Sequence, residues 1–366
     1  MPADFVISRS TLLSSYRTMC GRLPACRVLY ALKANSEPEV LQILADAGSG
    51  FDVASAEEFE KLLRIGVSPD RVMCSLPVKP RDMLERLAAD GCSHFVFDTL
   101  AELERIRRVS PNARAILRVL ISDVDKESFP LGMDLDDLRS ALADGSIDRT
   151  RIDGVTFHIS RNYRLQTLQR VLERFRHVIE LLSPERPLVV NIGGGYRHEL
   201  PFHLAQKFEL DAYYEFLDTW LAETAARHPC VFYCEPGRGI VEPAGSIECD
   251  VVLVRQRPEI FEAFLDANIG KPPGGHPSRI DVIHANGELE EVYDVAWHTS
   301  GSTGGGRTWQ TKLVDTVCEY APLYTLPLKR ALAGGERIRL GGLGAYTVSI
   351  TNYLHSRARP RTLIVP

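Results

Sequence analysis

The sequence predicts an α/β chain: a closed (β/α)8 TIM-type barrel over residues 12–238, then a C-terminal antiparallel β-domain over 239–366 that residues 1–11 join. Three observations carry this. Short β-rich runs alternate with segments of helical period through most of the chain, the pattern of right-handed βαβ units and a parallel sheet. The alternation repeats seven or eight times, which suits a closed barrel better than an open sheet. After Gly239 the texture changes to short runs broken by Gly and Pro, as in a small antiparallel sheet.

In chain order, the strand-like runs of the first part are Arg27–Ala31, His94–Asp98, Ala115–Ile121, Gly154–His158, Leu188–Ile192 and Val231–Cys234. Pro38–Ala47, Ala56–Arg64, Lys79–Ala89, Leu100–Val109, Leu135–Asp144, Leu165–Leu182 and Leu210–Ala226 repeat apolar residues three and four apart, so each offers one apolar stripe to a sheet. In the second part Ile247–Val254, Ile280–His284, Arg337–Leu340 and Ala345–Thr351 read as strands. Lys271–Ser278 and Thr299–Thr308 read as loops, and Gly304–Gly306 as a linker, since it follows no strand and leads into no clear helix. No internal repeat at a fixed period stands out.

The 366 residues are 45% hydrophobic and 25% charged, too long for one core of usual size, which again points to two domains. Lys plus Arg number 43 against 48 Asp plus Glu, a formal charge of -5, so no nucleic-acid partner is expected. Apolar stretches such as Pro187–Ile192 and Val251–Val254 fall far short of the roughly 20 residues a membrane helix needs. Asp4 stands where a signal peptide would be basic, and the chain is expected to be cytoplasmic. The eight cysteines, at 20, 26, 74, 92, 230, 234, 249 and 318, form no CxxC pair and no Cys/His cluster; reduced thiols and no metal site are expected.

Lys33 ends the apolar run Val28–Leu32. A lysine at the end of a buried strand is costly to leave charged, so it sheds its proton more easily and its amine becomes nucleophilic. A lysine snorkelling from the strand end is the plainer alternative. The triple glycine Gly193–Gly195 lets backbone amides approach a phosphate closely.

Tyr30-Ala31-Leu32-Lys33-Ala34-Asn35, followed by Gly50-Phe51-Asp52-Val53-Ala54-Ser55 and Glu58, resembles the opening of the fold-type III pyridoxal-phosphate decarboxylases. That group includes ornithine and diaminopimelate decarboxylases and shares its barrel with alanine racemase. The resemblance recurs in family order at Phe157-His158-Ile159, Asn191 to Tyr196, Glu235-Pro236-Gly237-Arg238, Cys318-Glu319 and Gly344-Ala345-Tyr346-Thr347. It implies pyridoxal 5'-phosphate as cofactor, with Lys33 holding it as an internal Schiff base. His158 would stack on the pyridine ring, and Glu235 would pair with the ring nitrogen and keep it protonated. Gly193, Gly194, Gly195, Gly237, Arg238 and Tyr346 would hold the phosphate region. Asp52 would help position Lys33, as would Glu58, for which an exposed first-turn helix residue is the alternative. Cys318 would enter the partner protomer's site and return a proton to the α-carbon, with Glu319 contacting substrate; this implies a homodimer with shared active sites. A buried structural cysteine is the competing account.

Three departures bear on the substrate. After His158-Ile159 the chain has Ser160-Arg161-Asn162, and Arg161 is a candidate for binding a second substrate carboxylate. The glycine-rich segment expected after Glu-Pro-Gly-Arg fits Leu265–Gly270 best and His284–Gly287 less well, without a clear Asp for a distal amine. Asp315-Thr316-Val317 precedes Cys318 in place of the usual Gly-Pro, and the chain upstream of Lys33 is short, so little N-terminal sequence is expected in the β-domain. The expected function is α-decarboxylation of an amino acid with a polar or carboxylate-bearing side chain. Diaminopimelate, ornithine-like diamines and a siderophore- or antibiotic-pathway intermediate such as a citryl-diamino acid stay open. The competing functions are an amino-acid racemase using Lys33 and a tyrosine, and a non-catalytic decarboxylase-like regulator.

Overall fold

The first strand, β1 (Asp4–Ser8), belongs to the sheet of the C-terminal part; the next opens a ring. β2 (Cys26–Ala31), β3 (Gly50–Val53), β4 (Val72–Cys74), β5 (His94–Phe97), β6 (Arg114–Leu120), β8 (Gly154–Thr156), β9 (Leu188–Asn191) and β10 (Cys230–Cys234) pair in parallel in that order, with β7 (Met133–Asp134) added beside the end of β6. The ring closes where Phe232 of β10 lies opposite Cys26 of β2. The computed structural model describes all residues except 1–2, 122–130, 160–163, 183–185, 198–208, 268, 270–274, 297–306, 317–321 and 351–358. It divides into two units: Tyr16–His198 with Phe208–Gly237, and Met1–Ser15 with Arg238–Pro366.

Helices follow most barrel strands, and their starts are written in the sequence. Ser55 accepts a hydrogen bond from Glu58 N at 3.1 Å and Thr99 one from Glu102 N at 3.3 Å, caps that contribute about 1 kcal/mol each. Leu29, Met73, Val96, Ile116, Val189 and Tyr233 meet inside the ring as an apolar plug. Side chains alternate along a strand, so the residues two positions further on share the interior face: Ala31, Ser75, Asp98, Arg118, Asn191 and Glu235. Polar groups therefore gather above the plug, at the carboxyl ends of the strands. That is the end at which such barrels carry their sites.

In the other unit, β11 (Gly245–Gln256), β12 (Phe261–Leu265), β13 (Arg279–Ile283), β14 (Leu289–Asp294), β15 (Trp309–Asp315), β16 (Pro322–Leu328) and β17 (Arg337–Gly341) form a sheet in the order β14-β13-β17-β11-β12-β15-β16. β1 pairs with β11, and β18 (Arg361–Val365) with β1. The sheet is mixed rather than wholly antiparallel, because β1 runs parallel to β18 and β12 parallel to β15.

Two further expectations need correction. The run expected as a strand over Ala345–Thr351 is not one in its described part, residues 345–350: Tyr346 has φ +60 and Val348–Ile350 is a 3-10 turn. The backbone there is pressed onto its neighbour, for a Cβ at Gly344 would lie 1.8 Å from the Val241 carbonyl oxygen, which leaves no room for a ladder partner. Strand β8 stops at Thr156, so His158 stands in the loop beyond it.

Candidate active site

Lys33 does not end the strand itself. β2 stops at Ala31, and a 3-10 turn over Leu32–Ala34 lifts the Lys33 side chain out at the barrel's carboxyl end, exposed, while Leu32 and Ala34 stay buried. The buried environment expected for this lysine is absent, because one tight turn after the strand carries it clear of the wall. The turn is fixed on both sides: Tyr30 Oη donates to Asn35 O at 3.0 Å and Lys61 Nζ to Ser36 Oγ at 2.8 Å. Gly237 packs against it, its missing Cβ lying 2.9 Å from that of Ala34.

Just past the end of the neighbouring strand β10, Glu235 is held at one oxygen. Its Oε1 accepts from Ser75 Oγ at 2.7 Å and from Asn191 Nδ2 at 2.6 Å, and the Asn191 Oδ1 in turn accepts from Gly193 N at 2.9 Å. The Glu235 backbone N–H donates to Gly193 O at 2.7 Å. Gly193 has φ +68, and side-chain atoms are excluded from the turn: a Cβ at 193 would sit 2.2 Å from Phe157 O and one at 194 2.6 Å from Glu235 O. Gly194 thus lies between the Glu235 backbone and the His158 ring, whose Cε1 would be 3.5 Å from that Cβ.

Electrostatics link these groups. Burial, and then the charge of Glu235, pushes Asp52 well above the usual carboxylate range, while Lys33 pulls it down. Burial also raises Glu58, against a hydrogen bond from Ala54 N and the charges of Lys33 and Lys61. That bond, 2.7 Å to Oε2, folds the Glu58 side chain back over its own helix start, so it is half-buried rather than an exposed first-turn residue. His158 is depressed to about 3 by burial and then by the charges of Lys33 and Arg118, so its ring is neutral near pH 7.

Lys33, Asp52, His158, Gly193, Gly194, Gly195, Glu235 and Gly237 all belong to the barrel unit. In the other unit the Arg238 guanidinium lies 4.8 Å from the centre of the Tyr346 ring and pairs with Glu242 at 3.0 Å. Arg161, Cys318 and Glu319 lie outside the described residues, as does the Gly304–Gly306 linker. His284–Gly287 is an exposed hairpin turn, with Gly287 N donating to His284 O at 2.8 Å, which removes it as the glycine-rich segment; of the alternative, Asn268 and Gly270 lie outside the described residues. Sequence reasoning missed Ser75, Asn191 and Arg118 as members of this cluster. The signal was positional: each stands two residues beyond a residue of the apolar plug, Met73, Ile116 or Val189.

A family model, pyridoxal-dependent decarboxylase, pyridoxal binding domain, matches residues 9–242. The chain belongs to this family. Among curated relatives, the ornithine decarboxylase of Schizosaccharomyces pombe is 30% identical over 243 residues, 64% of this chain and 54% of that protein, so the chain spans about half the length of that relative. The diaminopimelate decarboxylase of Pseudomonas aeruginosa is 25% identical over 99% of this chain and 87% of its own. The solved arginine decarboxylase of Paramecium bursaria Chlorella virus shares the fold with a TM-score of 0.81 at 20% identity, covering 100% of this chain and 97% of that one.

The cofactor of this family is pyridoxal phosphate, and the barrel end fits it. A primary amine stands at the mouth, a carboxylate is fixed by two donors, a turn of three glycines passes beside it with Gly195 exposed, and a neutral imidazole lies next to that turn. Asp52 Oδ1 is buried without a hydrogen-bond partner, an unmet requirement of the kind a ligand site retains. Among the described residues no helix is long and apolar enough to cross a membrane.

Proposed function

We propose that this pyridoxal-dependent decarboxylase acts on the α-carboxyl of an amino acid whose side chain is polar or carries a carboxylate. The observation that carries the reading is Glu235, fixed by Ser75 and Asn191 beside the Gly193–Gly195 turn, at the end of the strand that pairs with the one leading into Lys33. Lys33 would hold the cofactor covalently through its exposed amine. Glu235 would pair with the ring nitrogen, His158 would lie against the ring face, and the glycine turn, with Arg238 and Tyr346, would take the phosphate. Pyridoxal phosphate, when bound, supplies an electron sink for the pair left behind as carbon dioxide departs. A neutral His158 suits a face contact, since an imidazolium there would repel a protonated ring.

Cys318 would deliver the proton that replaces the carboxyl group, and Glu319 and Arg161 would select the substrate, with Cys318 and Glu319 donated by a second copy in a homodimer. Diaminopimelate, ornithine-like diamines and a citryl-diamino acid are the substrates to compare. The test is a panel of these amino acids with carbon dioxide and amine product measured. Borohydride reduction should fix the cofactor at Lys33, found by mass spectrometry. Cys318→Ala should lower amine formation by about 100-fold or more, the usual contribution of a positioned proton donor. A second reading, a non-catalytic regulator, is favoured by one relative, Antizyme inhibitor 2 of Xenopus laevis, 27% identical over 69% of this chain. No carbon dioxide from any substrate, together with no visible absorbance from bound cofactor, would select it.

A further inference from the structure

Asp52 and Glu235 place two carboxyl groups in the same end of the barrel, exposed by only 5% and 8%. Their partners are unequal. Glu235 Oε1 accepts from Ser75 at 2.7 Å and from Asn191 at 2.6 Å, whereas Asp52 Oδ1 has no donor within reach. Donors aimed at a carboxylate favour its ionised form, and an ionised oxygen buried without a donor is far costlier than a neutral carboxyl in the same place. The charge of Glu235 in turn disfavours a second negative charge on Asp52.

We propose that Asp52 holds the proton of this pair at neutral pH, and that Ser75 and Asn191 are positioning residues that keep the negative charge on Glu235. The charged and titratable groups around Asp52 are consistent with it. Burial and the Glu235 charge push Asp52 above the usual carboxylate range, and Glu58 acts in the same sense at lesser weight. Lys33 opposes them. His158 is neutral, and Arg118 lies on the next strand of the ring beyond β5, its charge felt at His158. Resting on the cofactor reading for its consequence, the proposal gives the site one carboxylate charge to meet a ring nitrogen, and one neutral hydroxyl donor at Asp52. It also leaves the Lys33 amine facing one negative charge fewer.

Infrared spectroscopy of the full chain, stripped of pyridoxal phosphate and again loaded with it, tests the assignment. At pH 7 the stripped chain should show the carbonyl band of a buried protonated carboxyl group. The band should move when aspartate side-chain carboxyls carry carbon-13, stay put when glutamate carboxyls carry it, and vanish in Asp52→Asn. In Ser75→Ala part of the band should become sensitive to the glutamate label, and Ser75→Thr should restore the original pattern. Absence of the band from the unsubstituted chain at pH 7, or a band that follows the glutamate label, overturns the proposal. A band in Ser75→Ala that still follows aspartate alone overturns the role of Ser75. The isotope comparisons need no substitution, so misfolding of Asp52→Asn leaves them decisive. Failure of the chain to bind the cofactor, seen as missing visible absorbance, removes the proposed function without moving the band.

Discussion

The barrel unit holds two sets of charges, and they are finished differently. Around Lys79, whose side chain is 0% exposed, every donor is used: Nζ reaches Val96 O at 2.7 Å, Leu76 O at 2.9 Å, Pro77 O at 3.2 Å and Glu102 Oε1 at 3.0 Å. Glu102 Oε2 takes Arg105 at 2.5 Å. At the carboxyl end of the strands, by contrast, Asp52 Oδ1 is left without a partner and Lys33 stands exposed. A closed set of charges specifies a fold, because any loss leaves an uncompensated charge. An open set costs stability and keeps capacity for a ligand.

Substitutions should separate the two sets. Lys33→Ala should abolish carbon dioxide release while changing the stability of the cofactor-free chain by less than about 0.5 kcal/mol, as for other exposed sites; urea unfolding and a carbon dioxide assay on one preparation check both halves. A large loss of stability would show that Lys33 belongs with the structural charges. Lys79→Met should do the reverse. Removing one partner of a buried pair costs about 3–5 kcal/mol, read as a lower urea midpoint, while the fraction that stays folded retains cofactor absorbance. Gly194→Ala falls between them: its Cβ would meet Glu235 O at 2.6 Å, so overpacking of about 1–3 kcal/mol should accompany weaker cofactor binding. Fluorescence titration with pyridoxal phosphate measures the second effect, and unchanged affinity would detach the glycine turn from the site.

The contrast also explains what the sequence could and could not disclose. Helices such as Ala56–Arg64 and Leu165–Leu182 are legible because their apolar stripes and caps are local. Arg9–Arg22 carries no strong stripe, and β3 and β4 are only four and three residues long, too short for a period to register. Lys33 is legible at the end of an apolar run, and Asp52, His158 and Glu235 through the family resemblance of the segments that hold them. The exposure of Lys33 is not, since it depends on a single 3-10 turn. The contacts of Ser75 and Asn191 with Glu235 are not legible for another reason. Ser75 meets Glu235 from 160 positions away, a contact that only barrel closure creates.

The smallest expected effect concerns pH. Burial holds two histidines of this unit neutral at opposite ends of the barrel: His158, down to about 3, and His94 at the start of β5, down to about 4 with the Arg114 charge adding to it. An unfolded chain protonates histidine near about 6.5. Between that value and the folded ones the unfolded state binds more protons, so stability is full above about 6.5 and declines as pH falls toward 4. Asp52 acts with opposite sign: raised in the folded state, it binds its proton there more readily than in the unfolded chain, and so offsets part of the acid loss. His94→Asn should therefore flatten the fall of the urea midpoint between pH 7.5 and pH 5, and Asp52→Asn should steepen it. If both variants kept the parent slope, these buried groups would share their protonation with the unfolded chain, and the open set of charges would no longer differ from the closed one.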